Sequence, residues 1–275
     1  MPDATLTFIG NATTIIRYGP FTLLTDPNFL RRGDRAYLGY GIRSERLRDP
    51  AITAEQLPSV DAVVLSHLHD DHWDPVAERH LDRGLPVLTT GAAARALTGR
   101  GFREAVGLRT WEGQPLVKGD HRVTVTAMPG RHAPGPLRHA LPPVMGSLLE
   151  FGPRAGGPQL RMYISGDTLM YDGLAEISRR YPEIDAGIVH LGGTRLLGLL
   201  TVTMDGRQGA RWVQTSGCAT VVPVHYDDYT VFKSPLSDFE GEIHRRGMDA
   251  RLRRVERGGT VPIVPKSRVR TRLPY

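Results

Sequence analysis

Residues 61–75 read DAVVLSHLHDDHWDP: a short apolar run empties directly into three histidines and three aspartates. A continuous apolar run of this length indicates a strand covered on both faces, as in a parallel sheet packed inside an α/β domain. The polar groups therefore sit where a buried strand meets a loop. Residues two apart in extended backbone point to the same side, so His67 and His69 converge, and the turn after them presents Asp71 and His72 to an adjoining position. Imidazole suits zinc, iron and related ions, and a carboxylate adds the charge that a divalent cation requires. A helix N-terminus capped by Asp70 or Asp71 accounts for an aspartate or two, but not for three histidines at this spacing.

The rest of the chain supplies the expected frame. Strands are predicted at 5–9, 13–18 and 21–25, with Gly19 and Pro20 turning the last pair. Helix and strand then alternate: helix 75–82, strand 86–90, helix 92–97. A second β-rich stretch covers 122–128, 146–151 and 160–165, followed by helix 171–180, strand 186–190, helix 205–216, strand 220–224 and helix 235–246. FTLLTDP at 21–27 and RMYISGDT at 161–168 each close a β-rich stretch with an aspartate, which reads as an internal duplication. Two such halves, about 1–118 and 119–258, would face each other as a sheet-on-sheet sandwich flanked by helices within a single domain spanning 1–275. The basic tail 259–275, with Pro262, Pro265 and Pro274, is expected to hold an extra strand and a loose end. Residues 28–50 read as irregular, with Arg31, Arg32, Arg35, Arg43, Arg46 and Arg48 among Phe29, Tyr37 and Tyr40. Such arginines can grip an anionic substrate, though a solvated charge run is the first reading.

Composition removes several classes. Cys218 is the single cysteine, so an intrachain disulfide and a cysteine-based zinc module are both excluded, and any metal site must use nitrogen and oxygen. The formal net charge of +6 is spread along the 275 residues without a nucleic-acid-binding signature beside it, so no nucleic-acid partner is expected. No apolar stretch reaches the roughly 18 residues of a bilayer span and the N-terminus lacks a signal-peptide pattern, so a cytoplasmic location is the expectation.

Three more ligand types follow strands: His132 after RVTVTAM, Asp167 after RMYIS and His225 after TVVPV. Together, the HxHxDH motif at 67–72, His132, the SGDT around Asp167 and the PVHYDDY around His225 resemble the ligand set of the metallo-β-lactamase superfamily in its chain order. The opening FIGNATTIIRYGPFTLLTDPNF is similar to the branch containing ascorbate-6-phosphate lactonase and N-acyl-phosphatidylethanolamine phospholipase D. The resemblance implies a four-layer αββα sandwich and two divalent ions, zinc first, with manganese or iron in its place. It implies that His67, His69 and His132 hold one ion, that Asp71, His72 and His225 hold the other, and that Asp167 bridges them. Asp167 stands where some true β-lactamases carry a cysteine ligand, which turns the expectation away from antibiotic cleavage.

Two such cations bring a bridging water from a pKa of 15.7 toward about 7, and the resulting hydroxide would attack an ester, lactone or phosphodiester of a small, anionic or lipid-like molecule. Asp71 and Asp167 are candidates for orienting that nucleophile. His190, ending the strand AGIVH, joins the candidate catalytic set as an outer contact or proton donor, and Asp26 as a carboxylate behind a ligating imidazole. Asp74 before Pro75 reads as a helix cap, and GGTRLLGLLTVTM at 192–204 as a hydrophobic wall or a core-anchored loop. Tyr226 and Asp227 are left outside the site. The competing classes are a di-iron redox protein, which expects a flavin-binding partner domain that 275 residues do not accommodate, and a non-catalytic, metal-stabilised nucleic-acid binder. A structural metal needs only about four ligands, fewer than the seven present here.

Overall fold

The computed structural model describes residues 4–136, 141–196 and 200–266. Strands β1 (Ala4–Gly10), β2 (Thr13–Tyr18) and β3 (Phe21–Thr25) form the antiparallel meander expected from the Gly19-Pro20 turn. The arginine-rich stretch is less irregular than its composition indicates, because β4 (Arg35–Tyr37) and β5 (Arg43–Glu45) pair as a hairpin within it. Next come β6 (Ala62–Val64), α1 (Pro75–His80), β7 (Val87–Thr90), α2 (Gly91–Gly99) and β8 (Ala105–Leu108), with β3, β6, β7 and β8 all parallel.

The second half opens with β9 (Gly113–Lys118), β10 (His121–Met128), β11 (Gly146–Pro153) and β12 (Leu160–Ile164), all antiparallel in sequence. After a 3₁₀ turn at 172–174 come α3 (Ala175–Arg180), β13 (Ala186–His190), the short hairpin β14 (Arg195–Leu196) and β15 (Leu200–Thr201), α4 (Gly206–Ser216), β16 (Thr220–Val224), α5 (Leu236–Arg245) and β17 (Thr260–Ile263). The sheets run β17-β1-β2-β3-β6-β7-β8 and β16-β13-β12-β11-β10-β9. The half boundary expected at 118 therefore moves earlier, since β9 pairs with β10 in the second sheet. The tail strand β17 crosses back to pair with β1, and as an edge strand it accommodates Pro262. Residues 267–275 of the tail, and 197–199 of the wall segment, lie outside the described residues.

Strand alternation splits the apolar residues into three layers of core. Leu6, Ile16, Leu23 and Val64 meet Val125, Leu149, Met162 and Ile188 between the sheets. The neighbouring side chains Leu24 and Val63 point outward to Trp73, Ala77, Leu97 and Phe102 beneath α1 and α2. On the opposite outer face Tyr163, Val189 and Val221 pack under Ile177, Trp212, Val213 and Phe239 of α3, α4 and α5. The result is an α/β four-layer sandwich. Helix ends follow sequence: Asp74 accepts from the Ala77 N–H with Pro75 in the first turn, Asp205 accepts from Gln208, and Gly217 closes α4 at φ 61°. Among the described residues no helix is long and apolar enough to cross a membrane.

Candidate metal centre

The carboxyl ends of the parallel strands β3, β6, β12, β13 and β16 open onto one edge of the sandwich, where α/β sheets gather their ligands. Asp26 follows β3, the 67–72 segment follows β6, Asp167 follows β12, His190 ends β13 and His225 follows β16, while His132 arrives from the loop after β10. The Met145 N–H donates to the Ser66 carbonyl, tying the two sheets together at this edge. Asp26 and His225 adopt left-handed backbone, φ 36° and 61°. Non-glycine residues are uncommon there and cluster at functional sites.

All seven residues expected as ligands are buried and are brought together in two adjoining groups. In the first, His67 Nε2 lies 2.9 Å from His69 Nδ1, and His132 Nε2 lies 3.4 Å from the same atom. The second contains Asp71, His72, Asp167 and His225: His72 Nε2 is 3.4 Å from Asp167 Oδ1 and His225 Nε2 is 3.3 Å from Asp71 Oδ2. Within each group the ligand atoms lie within 4.8 Å of one another.

Backbone and side-chain acceptors turn the rings inward. His132 Nδ1 is 2.9 Å from the Val202 carbonyl, His225 Nδ1 is 3.2 Å from the Leu191 carbonyl, and His67 Nδ1 is 3.0 Å from Ser66 Oγ. His72 Nδ1 is 3.1 Å from Asp26 Oδ2. Thr203 Oγ1 donates to Asp167 Oδ2 at 3.0 Å, and Asn11 Nδ2 donates to the Asp71 carbonyl at 2.6 Å. Such outer partners fix tautomer and aim in metal sites.

The inner atoms are left over. Asp71 Oδ1, Asp167 Oδ1 and His72 Nε2 are buried without a hydrogen-bond partner among the described residues, and so is the outer nitrogen of His69, Nε2, since its Nδ1 faces His67 and His132. Unpaired buried carboxylate oxygens are costly, and the ion-pair partners of Asp71 and Asp167 among the described residues are histidines alone. This donor set fits one or two divalent cations.

Electrostatics separates the groups. Burial, then the neighbouring rings, hold His67 well below the ordinary histidine value, and burial and His132 bring His69 to about 4. Burial also lowers His132, against the pull of Asp167. In the second group burial pushes Asp167 up, but the charges of His225 and His72 outweigh it and hold the carboxyl well below its usual range. His72 is raised well above its usual value because Asp167, Asp71 and Asp26 overcome its burial.

Other candidates are placed as follows. His190 is wholly buried behind the ligands, its Nε2 3.3 Å from Asp26 and its Nδ1 3.2 Å from Ser165 Oγ, so neither ring nitrogen is free to meet a substrate. Asp74 does more than cap: its Oδ2 also accepts from Asn28 Nδ2 and from the Phe29 and Leu30 N–H groups, anchoring the start of the arginine-rich stretch. Five of that stretch's six arginines are exposed, whereas Arg46 is fully buried and departs from the solvated reading. Arg46 pairs with Asp228, donates to Asn28 and forms a backbone bridge with Tyr229; Arg257 grips Asp228 with two bonds. Asp228 also accepts from the Asn11 N–H, so this buried cluster backs the centre from below. Of the neighbours left aside, Asp227 pairs with Arg48, and Tyr226 packs against the outer core.

Residues 22–226 match the β-lactamase superfamily domain family. The UPF0173 protein YddR of Bacillus subtilis is 27% identical over 251 residues, covering 86% of this chain and 92% of its own. The UPF0173 metal-dependent hydrolase of Deinococcus radiodurans is 24% identical over 250 residues, 89% of this chain and 93% of its own. The crystal structure of the isothiocyanate hydrolase from Delia radicum gut bacteria shares the fold, with a TM-score of 0.78 and 20% identity over 94% of this chain and 98% of that one.

Proposed function

Because this chain belongs to the β-lactamase superfamily and is related there to metal-dependent hydrolases, we propose that it hydrolyses an ester, lactone or phosphodiester bond in a small molecule at a pair of divalent cations, zinc first. The observation that carries this reading is the pair of adjoining ligand groups whose buried oxygens, Asp71 Oδ1 and Asp167 Oδ1, have no hydrogen-bond partner among the described residues. His67, His69 and His132 would hold one cation; Asp71, His72 and His225 would hold the other; Asp167 would serve both. When bound, such cations supply Lewis acidity, acidifying water toward neutral pH and polarising the electrophile's oxygen.

The side chains supply the rest. Thr203 donates to Asp167 Oδ2, leaving Oδ1, beside His72 and His225, available to a cation. Asp71 Oδ1, buried without a hydrogen-bond partner among the described residues, would accept the proton of the attacking water. The Val202 and Leu191 carbonyls keep His132 and His225 in one orientation through turnover. The similarity of the opening segment to the lactonase and phospholipase D branch supports a lactone or a phosphodiester, and the net charge of +6 supports an anionic group on the substrate.

The test is turnover by zinc- and manganese-loaded protein of a lactone and ester panel, of bis(p-nitrophenyl) phosphate, and of an isothiocyanate, added because that fold neighbour is an isothiocyanate hydrolase. Chelator-sensitive turnover of a lactone, an ester or the phosphodiester is expected. Exclusive turnover of the isothiocyanate, or none by fully loaded protein, would overturn the bond classes named here.

A further inference from the structure

The Asp26 carboxylate, just past the end of β3 in the first sheet, is buried and receives four donors. Its Oδ1 accepts from the Ser66 N–H at 2.7 Å. Its Oδ2 accepts from Ser66 Oγ at 3.0 Å, His72 Nδ1 at 3.1 Å and His190 Nε2 at 3.3 Å. An ionised carboxylate offers about four lone-pair positions; four donors meet this one, three of them on Oδ2. It also stands behind both ligand groups, holding His72 of one directly and His67 of the other through Ser66 Oγ.

Three of the four donors come from the segment just after β6, in the same sheet as Asp26. The fourth alone comes from the opposite sheet. His190 is the last residue of β13, with its backbone N–H donating to Ser165 Oγ at 2.8 Å and its Nδ1 against the same oxygen. Its ring stacks over His72 at 5.8 Å between centroids, 15° from parallel. Ser165 and His190 thus brace one face of the Asp26 carboxylate from the second half of the fold.

We infer that His190 is a positioning residue: it fixes the Asp26 carboxylate across the two sheets, and through it the tautomer and aim of His72 and, by way of Ser66, of His67. It touches neither substrate nor the inner ligand atoms. This role rests on the metal-centre reading above. Without the His190 donor, Asp26 is held from its own sheet alone, by Ser66 and His72, and the acceptor that aims the outer N–H of His72 loses its brace from the opposite sheet.

The test compares wild type with His190→Gln, His190→Leu and His190→Asn, stripped of metal and titrated with zinc against a chromophoric chelator. Cobalt-loaded absorption spectra report ligand geometry, and thermal unfolding of the stripped proteins controls for folding. Glutamine places an N–H near the position of Nε2; leucine fills similar volume without a donor; asparagine is polar but too short to reach Asp26. The expected result is that His190→Leu and His190→Asn weaken binding by about tenfold, the lower end for outer partners of ligating histidines, and alter the cobalt bands. His190→Gln should restore both. Should leucine prevent folding, the asparagine and glutamine pair carries the comparison. Wild-type affinity in His190→Leu or His190→Asn, or equal weakening in His190→Gln, would overturn the role of His190 alone. Failure of wild type to bind zinc at all would overturn the centre and this role together.

Discussion

The two ligand groups lie side by side, yet the fold builds them differently. His67, His69 and His132 form a neutral set whose pKa values burial lowers, and His69 keeps an outer nitrogen without a partner. The second group sets two carboxylates in the same dry surroundings and is backed by Asp26, Thr203, Asn11 and the Leu191 carbonyl. A set of neutral imidazoles tolerates an empty site. Two buried carboxylates need a counter-charge, which without a cation falls to His72 and His225, themselves buried. The second group should therefore depend more on its cation for stability as well as for chemistry.

The largest effect is expected from Asp167, proposed above to serve both groups. Asp167→Ala should lower metal occupancy and reduce turnover about a thousandfold or more, the scale of single groups that stabilise developing charge; elemental analysis and steady-state rates check it. His67→Ala and His225→Ala then separate the groups. Each should retain one metal and lose about a hundredfold in rate, but His225→Ala should lose more of the thermal stabilisation that metal confers. Equal losses of stability would break the contrast.

Behind the second group, Asp228→Asn strands Arg46 and should cost about 3 kcal/mol in urea unfolding at neutral pH, the lower end for breaking a buried pair. Burial pushes the Asp228 carboxyl up, but its bonds and charge contacts with Arg257 and Arg46 outweigh this and leave it below the ordinary value. The stability it contributes is therefore complete above the unfolded carboxylate value of about 3.9 and is lost as pH falls through the lower folded value. The gap between wild type and Asp228→Asn should narrow only in that acid range. The smallest effect is expected from Thr203→Val, which frees Asp167 Oδ2 and should weaken metal binding about tenfold while leaving His67, His69 and His132 in place; calorimetric zinc titration measures it.

How much of this could be read from the chain follows the same division. The 67–72 segment declares itself because four donors crowd into six residues, and His132, Asp167 and His225 because each follows an apolar run. The parts that hold them are silent in sequence: Val202 and Leu191 act through backbone carbonyls, which every residue has, and Thr203 lies within an apolar stretch. Arg46 was hidden among exposed arginines, since its partner Asp228 lies 182 residues away. β8 and β9 are short, and their patterns, AVGL and GQPLVK, are interrupted by glycine and proline, so tertiary pairing rather than local propensity makes them strands. The sandwich itself was legible because buried parallel strands read as apolar runs.

The most direct measurement of the central claim is metal content per chain by elemental analysis, on wild type and on Asp167→Ala. Two divalent ions per wild-type chain, falling on substitution, is the predicted result. A folded wild-type protein that hydrolyses its substrate while free of metal would contradict it.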